Sequence, residues 1–183
     1  MATVINAPTR DEVSENNKVI FDQLEKGLGF VPNLYASYAH NETALGDYLT
    51  LQNRRSTLKA KEREVINLAV SQVNECQYCL SAHTALGKMN GFTEDQILEL
   101  RAGGASFDNK LNALALFVKD ITINRGKPTP EALDNFFAAG YDKANLVDVL
   151  MVIGDKIISN FIHGVTNVPI DFPLAPELAE VNN

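Results

Sequence analysis

Glu75-Cys76-Gln77-Tyr78-Cys79-Leu80-Ser81-Ala82-His83 holds both cysteines of the chain and one of its three histidines. Upstream, Val65, Ile66, Leu68, Ala69, Val70 and Val73 recur at helical spacing, while Glu64, Asn67 and Ser71 form a polar stripe on another face. Asn74 followed three residues later by Gln77 resembles a reciprocal cap. One helix is therefore predicted to end at about Val73 and another to begin at once, with Cys76 in its first turn. At about 100° per residue, Cys76, Cys79 and His83 fall within an arc of roughly 60° on that second helix. The two sulfurs and the imidazole share one face, and Tyr78 and Ser81 point elsewhere.

The cap has a chemical consequence. It sets both thiols near the positive end of a helix dipole, which lowers a cysteine pKa from about 8.5 toward neutrality. Dipole physics alone favours Cys76, the nearer to the N-terminus, as the more acidic thiol. If the two helices fold back as an antiparallel hairpin about Asn74, Glu64 lies opposite roughly residue 84 and faces His83. A carboxylate there orients the ring and favours the charged imidazolium, which in turn favours a thiolate. A thiol that reduces a peroxide needs those features: a thiolate to attack the O–O bond, a proton donor for the leaving oxygen and a second thiol to resolve the product.

Composition narrows the function classes. The chain has 183 residues, 45% of them apolar, and a formal net charge of −7. That length suits one substantial core and predicts a single domain. The negative charge, with no Lys/Arg cluster, removes the attraction that nucleic acid or an anionic membrane surface needs. Met1 to Arg10 lacks the apolar core of a signal peptide, and the longest apolar stretch, Leu146 to Ile158, is interrupted by Asp148, Asp155 and Lys156. A soluble, cytoplasmic protein is expected. Two cysteines three residues apart close too small a loop to staple a fold, so redox chemistry or metal binding is the better reading of the pair. As a zinc site, Cys76, Cys79 and His83 are three ligands without the second half that structural zinc sites pair with them. No metal and no cofactor are expected.

The rest of the chain reads as helices separated by turn signals. A helix is predicted from near Asp11 to Leu28, stopped by Gly27 and Gly29, and a short one over Leu34 to Ala39 after Pro32. Asn41 caps a third that ends near Arg55, and Thr57 or Lys59 opens the helix that leads to the cysteines. Asn90-Gly91 closes the cysteine helix, Thr93-x-x-Gln96 caps a short one to Arg101, and Asn109 to Asn124 forms a long one. Thr129-Pro130-Glu131 starts another to about Ala138, and Asp142 to about Thr166 is the longest and most apolar. No period-two alternation persists long enough for a strand. The segment after Pro169 reads as an extended strap. His40 reads as a helix-end residue, His163 as a packed or interface histidine, and Tyr78 as a packing or pocket-wall residue. An all-α bundle is predicted, with its core over about residues 20–172 and loose or strap-like tails over 1–10 and 173–183.

Glu64, eleven intervening residues, then Cys76-x-x-Cys79-x-x-x-His83 resembles the signature of the AhpD-like alkyl hydroperoxidases of the carboxymuconolactone decarboxylase superfamily. Gly29-Phe30-Val31-Pro32-Asn33-Leu34-Tyr35, Leu58-x-x-x-Glu62-Arg63-Glu64 and Asn167-Val168-Pro169-Ile170-Asp171 resemble segments of its peroxidase-related members. The sequence departs from the best-studied members at Tyr78, where they carry histidine.

The resemblance implies an AhpD-like helical fold that assembles into homo-trimers or homo-hexamers. It further implies a disulfide-cycling thiol peroxidase or disulfide reductase acting on hydrogen peroxide or small organic hydroperoxides, re-reduced by a dithiol partner such as a lipoyl protein or a thioredoxin-like protein. By position, Cys79 is the peroxidatic thiol, Cys76 the resolving thiol, and His83 with Glu64 the proton relay. Two other readings stand beside it: a lactone decarboxylase or isomerase using Glu64 and His83 as acid and base, and a non-enzymatic thiol redox sensor.

Overall fold

Local chemistry sets most helix ends. Side-chain oxygens of Ser14, Thr93, Asp108 and Thr129 accept the free N–H groups of the helices that follow them. Thr93 and Gln96 cap each other reciprocally, and Pro130 opens its helix, where a missing N–H costs nothing. Gly29, Gly91 and Gly103 follow helix ends at positive φ. The computed structural model describes residues 5–178, and among these all regular structure is helical. In order the helices are α1 (Glu15–Leu28), α2 (Asn33–Tyr38), α3 (Ala44–Gln52), α4 (Ala60–Val73), α5 (Gln77–Met89), α6 (Glu94–Ala102), α7 (Asn109–Ile123), α8 (Pro130–Ala138) and α9 (Lys143–Thr166). Among the described residues, no helix is long and apolar enough to cross a membrane.

The first helix begins later than the sequence predicts. Arg10–Glu12 forms one separate 3-10 turn, in which Glu12 accepts the Thr9 N–H, and Ser14 then caps α1. At the other end of the chain, residues 173–178 carry no regular helix, as expected of a strap; 179–183, like 1–4, lie outside the described residues.

The chain forms two compact units: residues up to Arg55 with Ile158–Asp171, and Ser56–Ile157 with the segment from Phe172 onward. In the first, α3 packs against α1 and α2. Phe21, Leu34 and Leu45 are buried there, and Asn17 is buried too, its amide donating to the carbonyls of Ala39 and Asn41. Asp171 accepts the Asn33 N–H at 2.6 Å, satisfying the start of α2.

In the second unit α4 is the central helix, packed against α5, α6 and α7, with α8 on α7. Val65, Ile66, Leu68 and Val70 are wholly buried, which is what a helix apolar on most sides requires. They share one core with Leu100, Leu114, Phe117, Val118, Phe136 and, from α9, Val149, Val152 and Ile153. Burying each of the large aliphatic or aromatic side chains stabilises the unit by about 1.5–3 kcal/mol before chain entropy is subtracted. Gly87 sets how closely α5 meets its neighbour, because a Cβ there would stand 3.2 Å from Cδ1 of Ile97.

Candidate active site

The join between α4 and α5 is tighter than a capping pair of Asn74 and Gln77. Asn74 ends α4, and Glu75 follows in the left-handed region at φ 53°. The Glu75 N–H donates to the Gln72 carbonyl at 3.2 Å and the Cys76 N–H to the Ser71 carbonyl at 3.0 Å. That is a Schellman closure, with glutamate where glycine is usual. Cys76, expected in the first turn of α5, is instead its N-cap, with φ −84° and ψ 92°. Its Sγ accepts the Cys79 N–H at 3.4 Å, so the sulfur takes the place of a capping oxygen.

This geometry brings the sulfurs of Cys76 and Cys79 to 2.8 Å from each other. Both are reduced thiols and both are buried, Cys76 4% and Cys79 1% exposed. One turn past Cys79, the His83 ring meets Glu64 of α4: Nδ1 lies 2.8 Å from Oε2. Hence the hairpin pairs position 64 with 83 and position 71 with 76, one residue from the register expected. The buried polar stripe of Glu64, Asn67 and Ser71 runs along this side of α4.

The protonation of the pair differs from the sequence expectation. Burial pushes the His83 ring below its ordinary value, Lys156 pushes it further down, and the Glu64 charge and hydrogen bond only partly oppose them. For Glu64, burial acts to raise the carboxyl, but His83, Lys156 and Asn67 outweigh it and hold it below the ordinary range. We assign an ionised Glu64 and a neutral His83 at pH 7. An ionised carboxylate only accepts, so Nδ1–H donates to Oε2, and Nε2 carries the lone pair. The ring at rest is therefore a base, not the imidazolium expected from the carboxylate alone.

Lys156 was missed as a site residue. It sits on α9, 3% exposed, and its charge acts on both Glu64 and His83; the neighbouring Asp155, also buried, acts on His83 in the opposite sense. The signal was present in the sequence, since Asp155-Lys156 interrupts an otherwise apolar helix. Buried charges of that kind persist only when they have partners.

The opposite side of α5 holds the strap. Gln77 Nε2 donates to the Ala175 carbonyl at 2.9 Å, the Ala175 N–H donates to Ser81 Oγ at 3.0 Å, and Arg101 donates to the Pro176 carbonyl at 2.7 Å. Tyr78 is buried, its ring edge-on to Phe172 at 5.7 Å, a packing role in keeping with its reading from sequence. The other two histidines belong to the first unit, where Nε2 of His40 meets the Asn6 carbonyl and Nε2 of His163 meets that of Val168. Among the described residues, no group of three or more His, Cys, Asp or Glu side chains is arranged to hold a metal ion.

The chain thus combines an all-helical fold with a cysteine pair, a histidine one turn on and a buried glutamate across a hairpin. The profile of the carboxymuconolactone decarboxylase family matches residues 39–119. YdfG of Bacillus subtilis (strain 168), itself uncharacterized, is 30% identical over 102 residues, which is 55% of this chain and 69% of that one. The chain belongs to the carboxymuconolactone decarboxylase family.

Its fold is shared with solved structures of lower identity. An uncharacterized peroxidase-related protein from Silicibacter sp. TM1040 has a TM-score of 0.79 at 23% identity, covering 96% of this chain and 93% of that one. The alkylhydroperoxidase AhpD core of a peroxidase-related protein from Ralstonia eutropha JMP134 has a TM-score of 0.78 at 16% identity, covering 98% and 95%. The debrominase Bmp8 has a TM-score of 0.77 at 16% identity, covering 93% and 94%.

Proposed function

We propose that the protein is a cytoplasmic thiol peroxidase, reducing hydrogen peroxide or small organic hydroperoxides through a Cys76–Cys79 disulfide. The observation that carries this reading is the pair of thiol sulfurs 2.8 Å apart at the start of the helix that also presents His83, itself held by Glu64. In this reading Nε2 of His83 takes the Cys79 proton. The thiolate attacks the terminal oxygen of the hydroperoxide, an S–O bond forms and the O–O bond breaks. Cys79 is oxidised to sulfenic acid, and the alkoxide leaves with the proton that His83 held. Cys76 then displaces water from the sulfenic acid, closing the disulfide, and an external dithiol of the lipoyl or thioredoxin type reduces it. Glu64 orients the ring and increases its basicity.

The assignment of Cys79 rests on the resemblance and on His83 lying one helical turn beyond it. The cap geometry gives Cys76 the better claim to a stabilised thiolate at rest, because its sulfur accepts the Cys79 N–H at the positive end of the α5 dipole. The deciding experiment is peroxide consumption by the wild type and Cys79→Ser with dihydrolipoamide or thioredoxin as donor. Sustained turnover by the wild type and none by the variant is expected. Stoichiometric oxidation without turnover would instead favour a sensor.

We also propose a homo-oligomer of at least three copies. Val147, Met151, Gly154, Ile158, Phe161 and Val165 follow one another along α9 at alternating four- and three-residue spacings, and all are exposed or nearly so, Phe161 by 64% and Val165 by 66%. An apolar seam with that period suits a second helix of the same kind. Light scattering at micromolar concentration tests it, and a stable monomer would exclude it.

A further inference from the structure

Asn67 lies beside the Glu64 and His83 pair without a part in the mechanism above. Its side chain is buried, the residue 7% exposed, and its Nδ2 is 3.5 Å from Oε1 of Glu64, whose other oxygen holds His83. The carboxylate only accepts, so the amide must turn its NH2 toward Glu64 and its carbonyl away. That carbonyl oxygen, Oδ1, is buried and no protein donor among the described residues reaches it. A buried acceptor left without a donor is unfavourable, which marks a place where a donor from outside the chain belongs. The hairpin register says where. With 64 against 83 and 71 against 76, position 67 is level with Leu80, the residue next to Cys79.

Resting on the peroxidase reading, we infer that Asn67 positions the substrate, its Oδ1 accepting the O–H hydrogen of a hydroperoxide while the Cys79 sulfur attacks the oxygen that bears it. The chemistry favours an amide here. A carboxylate at this point would set a second negative charge against the attacking thiolate, whereas a neutral carbonyl accepts the hydrogen without adding charge. Glu64 fixes the direction of that carbonyl, so the same carboxylate orients both the base and the substrate acceptor.

The test compares two reactions of the reduced protein, with hydrogen peroxide and with iodoacetamide, in the wild type, Asn67→Leu and Asn67→Ser. The leucine variant keeps the volume and removes the acceptor, and the serine variant restores an oxygen should leucine fail to fold. The rate constant with peroxide should fall about 10- to 100-fold in Asn67→Leu and less in Asn67→Ser, the loss of one buried hydrogen bond to the reacting group. Iodoacetamide alkylation should change less than twofold, because Asn67 contributes least among the groups that hold the Glu64 carboxyl down. Peroxide rates within twofold of wild type in the variants that fold, or a parallel fall in both reactions, would overturn the role. A wild type that reduces no peroxide would overturn the functional reading and this inference with it, whereas an active wild type with unaffected variants would overturn the inference alone.

Discussion

Glu64 and His83 are joined across the α4–α5 hairpin by a 2.8 Å hydrogen bond between Oε2 and Nδ1, both residues only 7% exposed. The carboxylate charge is the main force raising the basicity of a ring that burial and Lys156 otherwise depress. Glu64→Gln should therefore leave His83 a weaker base. Thiol alkylation near neutral pH should slow by about tenfold, the scale of one lost charge-assisted hydrogen bond, with the fold unchanged by circular dichroism. Alkylation profiles against pH that superimpose for the two proteins would reduce Glu64 to a structural carboxylate.

Lys156→Met should act in the opposite sense. Removing the ammonium takes away a charge that lowers both His83 and Glu64, so the ring should titrate at higher pH than in the wild type. An NMR titration of the His83 ring reads this directly. The acid limb of the alkylation profile should move up with it, and an unmoved His83 titration would remove Lys156 from the site.

Acid should destabilise the protein in two steps. His83 has a folded pKa below its unfolded value of 6.5, so the unfolded chain binds a proton that the folded chain refuses, and stability is lost as pH falls below about 6.5 toward the folded value. Glu64 is likewise depressed, and its contribution, present above its unfolded value of 4.5, is lost as pH falls further. Melting temperature measured from pH 8 to pH 4 should decline below 6.5, and His83→Gln should flatten the first part of that decline. A melting temperature constant between pH 7 and pH 5 would contradict the neutral assignment.

Glu75 is an exposed residue at φ 53° in the position where a Schellman closure usually carries glycine. Glu75→Gly should relieve about 1 kcal/mol of left-handed strain, raising the melting temperature by about 2–4 °C in a chain of this size. A fall in melting temperature would show that glycine's extra freedom in the unfolded chain outweighs the strain.

The sequence by itself determined the class of fold and half of the candidate site. Caps and stops such as Thr93 with Gln96, Thr129 with Pro130 and Asn90 with Gly91 act within a few residues, so they are legible without tertiary information. Cys79 and His83 are one turn apart on one helix, and the helical period alone puts them on one face. Only the tertiary structure decided the rest. Whether Cys76 caps α5 or lies within it depended on a backbone closure through Glu75 that residue types disfavour, and that closure set the register opposing 64 to 83. The charge on His83 depended on burial and on Lys156, more than 70 positions away in the chain, because electrostatics act through space and desolvation exists only once the core has closed around the ring.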